Sequence, residues 1–126
     1  MTSLNILLLD DDRGAVDALA MTLSQRAPQA RCQPFYSGQE ALSAALSQPP
    51  DVIIVSLEMP GMSGNEFARA VRRAFPQRSF PVLIAVSEKI MALANARRER
   101  AFDHFLHKPL DVSALSELLV SKRTIS

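Results

Sequence analysis

Side chains that could take part in metal, phosphoryl or hydroxyl chemistry directly follow three apolar runs of the sequence: Asp10 with Asp11, Ser56, and Lys108. Adjacent carboxylates repel one another unless a cation intervenes, and Lys108 or a hard metal ion would supply that cation. A bare pair of aspartates is also consistent with Asp11 or Asp12 capping the following helix. A serine hydroxyl needs a neighbouring base to act as a nucleophile, and Ser56 has no obvious one. The residues therefore predict an acidic pocket balanced by a cation.

The apolar runs that carry these residues alternate with helical patterns. Strands are predicted at 4–9, 31–36, 52–55, 81–86 and 103–107. Helices are predicted after Asp12 as far as Pro28, over 38–46, from Ser63 to Pro76, over 90–100 and after Asp111. Strict alternation of buried strands and helices predicts a parallel sheet covered on both faces, a three-layer α/β architecture. The carboxyl ends of its strands share one edge, where such sheets carry their working cleft.

Composition sets the broad class of the protein. The 126 residues are enough for one domain, which we expect over 1–126, and the formal net charge of +1 predicts no direct nucleic-acid or membrane binding. Cys32 is the single cysteine and cannot form an internal disulfide, so we expect a cytoplasmic protein.

A longer motif gives these positions a family context. The segment Met59-Pro60-Gly61-Met62-Ser63-Gly64, with Asp10-Asp11 before it and Lys108-Pro109 after it, resembles the receiver domain of bacterial two-component response regulators. The resemblance implies a doubly wound, flavodoxin-like (CheY-like) (βα)5 fold, with five parallel strands in the order 2-1-3-4-5. It also implies a role in phosphorelay signal transduction rather than enzymatic turnover.

The resemblance assigns roles to individual positions. Asp10 and Asp11 match the acidic pair that holds a magnesium ion, and Lys108 matches the lysine that pairs with the phosphoryl group. Phe105 matches the aromatic residue whose rotation reports phosphorylation. Ser56 stands where the family has the aspartate that accepts the phosphoryl group.

Serine at this position changes the expected chemistry. Its hydroxyl is protonated at neutral pH and cannot form an acyl phosphate, so we predict that phosphorylation by a histidine kinase is lost. Magnesium favours several hard oxygen ligands, so the metal site at Asp10 and Asp11 is predicted to be weak or absent, and no cofactor is required. Glu58 either turns its carboxylate into the pocket or is a solvated loop residue.

The sequence also differs from the receiver-domain pattern at the end of the fourth predicted strand. The hydroxyl that the family carries there aligns with Val86, which has the shape of threonine without its hydrogen bond. A shift of one residue would place Ser87 at that position instead. Loss of both groups would indicate a relaxed or redirected function.

These observations predict an atypical receiver that acts through protein–protein interaction. The expected surface is formed by the fourth helix, fifth strand and fifth helix, where the run Arg97 to Arg100 either contacts a partner or is solvated. The partner would be a second copy of the chain, an output domain or a sensor kinase.

The alternative is a receiver phosphorylated on Ser56 or a nearby acidic residue. A small magnesium-dependent phosphatase is less well supported, because the sequence lacks a convincing downstream acidic metal motif and a cap. A Ser56–Lys108 hydrolase is also less well supported, because two carboxylates favour the charged form of Lys108.

Overall fold

The computed structural model describes residues 3–76 and 81–125, with side-chain burial described as far as Leu119. Its strands are β1 (Leu4–Leu9), β2 (Ala30–Phe35), β3 (Val52–Ser56), β4 (Val82–Ser87) and β5 (His104–His107). Its helices are α1 (Arg13–Arg26), α2 (Gly38–Ser47), α3 (Gly64–Ala74), α4 (Ile90–Glu99) and α5 (Val112–Ile125). Within these described ranges, no helix is long and apolar enough to cross a membrane.

The five strands form one parallel sheet in the order β2-β1-β3-β4-β5. Both the parallel α/β architecture and the strand order are therefore confirmed. Ser56, at the end of β3, pairs in register with Val86 of β4. The sheet thus brings Asp10, Ser56 and Lys108 to its carboxyl edge, as expected of parallel strands.

Two apolar clusters cover the two faces of the sheet and complete the three layers. One cluster packs the sheet against α2, α3 and α4, with Phe67 fully buried within it. The other packs it against α1 and α5, with Leu23 and Leu115 fully buried. Side chains alternate between faces along a strand, so Val86 faces α1 and α5 while its neighbour Ser87 faces the opposite layer.

Side-chain caps fix where the helices begin. Asp12 accepts a hydrogen bond from the backbone N–H of Ala15 at the start of α1, so the simpler interpretation of an acidic cap holds for this aspartate. Ser63 and Glu66 form the reciprocal capping box predicted for α3. At α2, Ser37 accepts from the N–H of Glu40, which is one half of the predicted box.

The start of α3 lies directly against the end of β3. A Cβ atom at Gly64 would lie 2.4 Å from the carbonyl oxygen of Ser56 and 2.8 Å from the Cα of Leu57. Only glycine allows this approach without a shift of backbone. The contact fixes the position of the backbone that presents Ser56.

Candidate functional site

An ion pair spans the carboxyl edge of the sheet. The Nζ of Lys108 donates a hydrogen bond of 2.8 Å to Oδ2 of Asp10. Lys108 follows β5 and Asp10 follows β1, so the ends of β3 and β4 lie between them in the sheet. The side chains are 24% and 13% exposed, respectively, which limits screening of the pair by solvent. Oδ1 of Asp10 accepts from the backbone N–H of Asp12, which holds the carboxylate in place.

Ser56 lies at the end of β3, between the strands that supply the two partners of the ion pair. It is 4% exposed, and its hydroxyl donates a hydrogen bond of 3.3 Å to the backbone carbonyl of Glu58. Activation of a hydroxyl requires a carboxylate, imidazole or amine that can take its proton. A backbone carbonyl does not act as such a base, so the arrangement is that of a structural serine.

A cleft of about 540 Å³ opens beside these residues between the sheet and α1. Asp10, Ser56, Val86 and Lys108 all line it. The structure therefore brings together four of the residues singled out from the sequence. Val86, which pairs with Ser56, presents methyl groups to this cleft and no hydrogen-bonding group.

The other two candidates near β3 and β4 meet outside this cleft. Ser87 is fully buried, and its hydroxyl lies 2.9 and 2.8 Å from the two carboxylate oxygens of Glu58, to which it donates. The same hydroxyl oxygen accepts from the backbone N–H of Lys89 at 2.9 Å. Glu58 is thus neither turned toward Asp10 nor freely solvated, and it joins the loop after β3 to the loop after β4.

Asp11 is exposed and does not line the cleft. Within residues 3–76 and 81–125, no group of three or more His, Cys, Asp or Glu side chains is arranged to hold a metal ion. Asp10, the other predicted magnesium ligand, is bound to Lys108. The two aspartates are adjacent in sequence, but the structure directs them to different surroundings.

The partly buried Phe105 connects β5 to α4. Its ring packs edge-on against Phe102, with the ring centroids 5.9 Å apart. The guanidinium carbon of Arg97 lies 4.6 Å from the centroid of the Phe105 ring, within range of a cation–π interaction. Arg97, which the sequence left as either a partner contact or a solvated residue, therefore covers the aromatic ring.

One hydrogen-bond network, centred on Arg72, was not predicted from the sequence. Arg72 of α3 donates to the carbonyl oxygens of Ala101 and Pro81, both at 2.9 Å, and to the carboxylate of Asp103 at 2.7 Å. Asp103 also accepts from the backbone N–H of Leu83 in β4. A sequence pattern carries no signal for this network, because its partners come from separate segments.

Comparison with known proteins places this site in a family context. The family model described as the response regulator receiver domain matches residues 6–120. The cyclic di-GMP phosphodiesterase response regulator RpfG of Xanthomonas campestris is 31% identical over 85% of this chain and 28% of its own length. The response regulator MprA of Mycobacterium bovis is 32% identical over 98% of this chain and 50% of its own length. The chain thus spans half or less of these relatives.

Solved structures show the same likeness in three dimensions. A CheY-like receiver domain from Methylobacillus flagellatus is 26% identical, with a TM-score of 0.83 over 96% of this chain and 99% of that one. The chemotaxis protein CheY4 of Vibrio cholerae is 25% identical, with a TM-score of 0.83 over 95% of this chain and 98% of that one. Both likenesses extend over nearly the whole of each chain.

Proposed function

Because this chain belongs to the response regulator receiver domain family, we propose that it is an atypical receiver that a histidine kinase does not phosphorylate. It acts instead through protein–protein interaction, with its conformation set by the partner that it binds. A partner that has different affinities for two packings of the domain is sufficient to shift it between them. The chain itself is proposed to have no enzymatic activity.

The ion pair between Lys108 and Asp10 is the observation that carries this proposal. In a receiver, the matching lysine pairs with the phosphoryl group on the acceptor aspartate. Here the acceptor position is Ser56, and the lysine is neutralised by Asp10 at 2.8 Å. Phosphoryl transfer would have to break this pair and also use a hydroxyl that is hydrogen-bonded to a backbone carbonyl rather than to a base.

The bond between Glu58 and Ser87 supports the same proposal. It links the two loops that flank the ends of β3 and β4 without any phosphoryl group. Ser87 is fully buried and Glu58 is exposed, so the bond ties the surface loop after β3 to an interior hydroxyl. The relative position of the two loops is then a property of the unmodified chain.

The residues present do not fit a magnesium ion. Magnesium requires several hard oxygens in nearly octahedral geometry. Asp10 is bound to an ammonium group, Asp11 is exposed, and position 56 supplies a hydroxyl in place of a carboxylate. We therefore infer a weak or absent magnesium site and no required cofactor.

Phosphorylation of Ser56 itself is not favoured by the geometry. A protein serine kinase needs access to the hydroxyl, but Ser56 is 4% exposed and its hydroxyl is bonded to the carbonyl of Glu58. The neighbouring acidic residue Asp10 is likewise held by Lys108. Neither residue is presented as an acceptor.

The proposed interaction surface is the face formed by α4, β5 and α5. Ile90 and Met91 at the start of α4 are 68% and 70% exposed, so two adjacent large apolar side chains are available to a partner on this face. Arg97 stacked on Phe105 adds a flat amphipathic contact on the same side. The expected partners are a second copy of the chain, an output domain or a sensor kinase, in the cytoplasm, with no direct binding to nucleic acid or membrane.

Affinity capture from lysate of the source cells tests this function. We expect wild type and Ser56→Ala to capture the same partner with or without acetyl phosphate, and Ile90→Glu to lose it. Met21→Glu is the matched control, since Met21 is also exposed (66%) but lies on α1. Capture that requires the phosphoryl donor, or that is lost equally with Met21→Glu, would contradict the proposal.

A further inference from the structure

We propose that the cleft between the sheet and α1 binds a small amphipathic cation, an amine that carries an apolar body. This inference goes beyond the proposed function, because it concerns a soluble ligand rather than a protein partner. It depends on the shape, lining and rim charge of the cleft. It does not depend on whether the domain can be phosphorylated.

The size and lining of the cleft suit a small apolar body. Its volume of about 540 Å³ lies within the range of roughly 300 to 1,000 Å³ that is typical of small-molecule sites. The apolar lining comes from the sheet, from α1 and from the segment after Lys108: Leu8, Ile54, Val86, Val16, Leu19 and Leu110. Apolar walls on several sides favour burial of a hydrocarbon group.

The two departures from the family pattern remove a carboxylate (at Ser56) and a hydrogen-bonding group (at Val86) from the floor of the cleft. Ser56 and Val86 are paired neighbours, and both line the cleft. A carboxylate at position 56 would place a charge at a nearly buried position, which is costly beside a hydrocarbon ligand. With serine and valine there, an apolar group can approach the floor without leaving a charge desolvated.

The rim of the cleft carries an excess of negative charge. The charged groups that line the cleft are three carboxylates and one ammonium group, so their net charge is −2: Asp10, Asp12, Glu88 and Lys108. Asp10 and Lys108 neutralise each other. The side chains of Asp12 and Glu88 are exposed, so a ligand ammonium group can reach them from solvent. An anionic ligand would be repelled by the same two groups.

Binding of hexylamine, hexanol and hexanoate, which differ in their head groups, tests the proposal. Isothermal titration with each compound, together with two-dimensional NMR of the labelled chain, reports affinity and location. We expect hexylamine to bind saturably at the cleft, about fivefold or more tightly than hexanoate, as expected for weak charge attraction near a surface. Equal or tighter binding of hexanoate, or no saturable binding of hexylamine, would overturn the proposal.

Two sets of variants locate the site. Ala15→Phe places a ring at the mouth of the cleft and is expected to weaken hexylamine binding about tenfold. Ala18→Phe is the control: Ala18 is also exposed on α1 but lies outside the cleft, so hexylamine binding should be unchanged. Asp12→Asn with Glu88→Gln removes the excess charge and preserves capping of α1, since asparagine is an equally good cap. This double variant should weaken hexylamine but not hexanol. Unchanged hexylamine affinity in the double variant, or in a folded Ala15→Phe variant, would refute the assignment.

Discussion

Lys108 contacts Asp10 across the ends of the two strands that separate them in the sheet, with Nζ and Oδ2 2.8 Å apart. Ser56 ends β3, and Val86, its paired neighbour near the end of β4, likewise provides no charge. The ammonium group of Lys108 therefore finds its counter-charge on β1 rather than on β3. The charge of Lys108 is therefore balanced without a phosphoryl group, in a pocket where residue 56 supplies no carboxylate.

Ser87→Ala tests the link between the loops after β3 and β4. The substitution removes the donor to Glu58 and the acceptor for the N–H of Lys89, two partly buried interactions of a fully buried hydroxyl. We expect the free energy of unfolding to fall by about 1–3 kcal/mol, measured by urea denaturation. Ser43→Ala, on the exposed surface of α2, should change it by less than about 0.5 kcal/mol. Equal effects of the two substitutions would contradict this role of Ser87.

Arg72→Ala tests the network that joins α3 to the start of β4 and the segment before β5. Removal of the guanidinium group takes the side-chain donor from two carbonyls and leaves the carboxylate of Asp103 with only the N–H of Leu83. We expect a loss of about 2 kcal/mol or more in chemical denaturation. Arg73→Ala removes an equal charge from an exposed neighbour, so it should have little effect. A loss as large in Arg73→Ala would show that charge, rather than the network, matters.

Gly64→Ala tests the close approach of α3 to the backbone of Ser56. The added Cβ would lie 2.4 Å from the carbonyl oxygen of Ser56, so α3 or β3 must shift. Overpacking of this kind costs about 1–3 kcal/mol, which thermal or urea denaturation would measure. Gly14→Ala is the control, since its Cβ meets only Asp12 at 3.6 Å and should stabilise α1 by up to about 1 kcal/mol. A stable Gly64→Ala protein with unchanged NMR signals near Ser56 would contradict the predicted displacement.

Glu66 makes the stability of the α3 cap depend on pH. Hydrogen bonds from the backbone N–H and the side chain of Ser63 hold the pKa of Glu66 below its ordinary value of 4.5. A lowered pKa stabilises the folded state above the unfolded pKa, and this stabilisation is lost as the pH falls through the folded pKa. Glu66→Gln retains a capping side chain without titration. Wild type should therefore lose stability relative to Glu66→Gln as the pH falls from 6 toward 3, and a constant difference would contradict this cause.

Much of the fold could be predicted because each strand and helix carries a local signal. The β1 run from Leu4 to Leu9 has the predicted bounds, and the Ser63–Glu66 box marks the start of α3 as observed. The other strands differ from the predicted bounds by one residue at one or both ends. For example, β4 continues to Ser87, because backbone pairing with β5 extends one residue past the apolar run.

The side-chain contacts within the site could not be predicted from sequence patterns. The strand ends predicted that Asp10, Ser56 and Lys108 would lie at one edge of the sheet. They did not predict that Lys108 would form its ion pair with Asp10. The position of Glu58 depends on a buried hydroxyl donor on the opposite face of the sheet, at Ser87. Such pairings depend on side-chain direction and distance, which are set only when the whole sheet is assembled.

Intact-mass spectrometry after incubation with acetyl phosphate and magnesium tests the central claim most directly. We predict that the wild-type chain gains no phosphoryl mass, because residue 56 cannot form an acyl phosphate. Ser56→Asp restores the acceptor carboxylate and Ser56→Asn is its neutral control, which allows labelling of position 56 to be distinguished from labelling elsewhere. A stoichiometric phosphoryl adduct on the wild-type chain, absent from Ser56→Ala, would contradict the account.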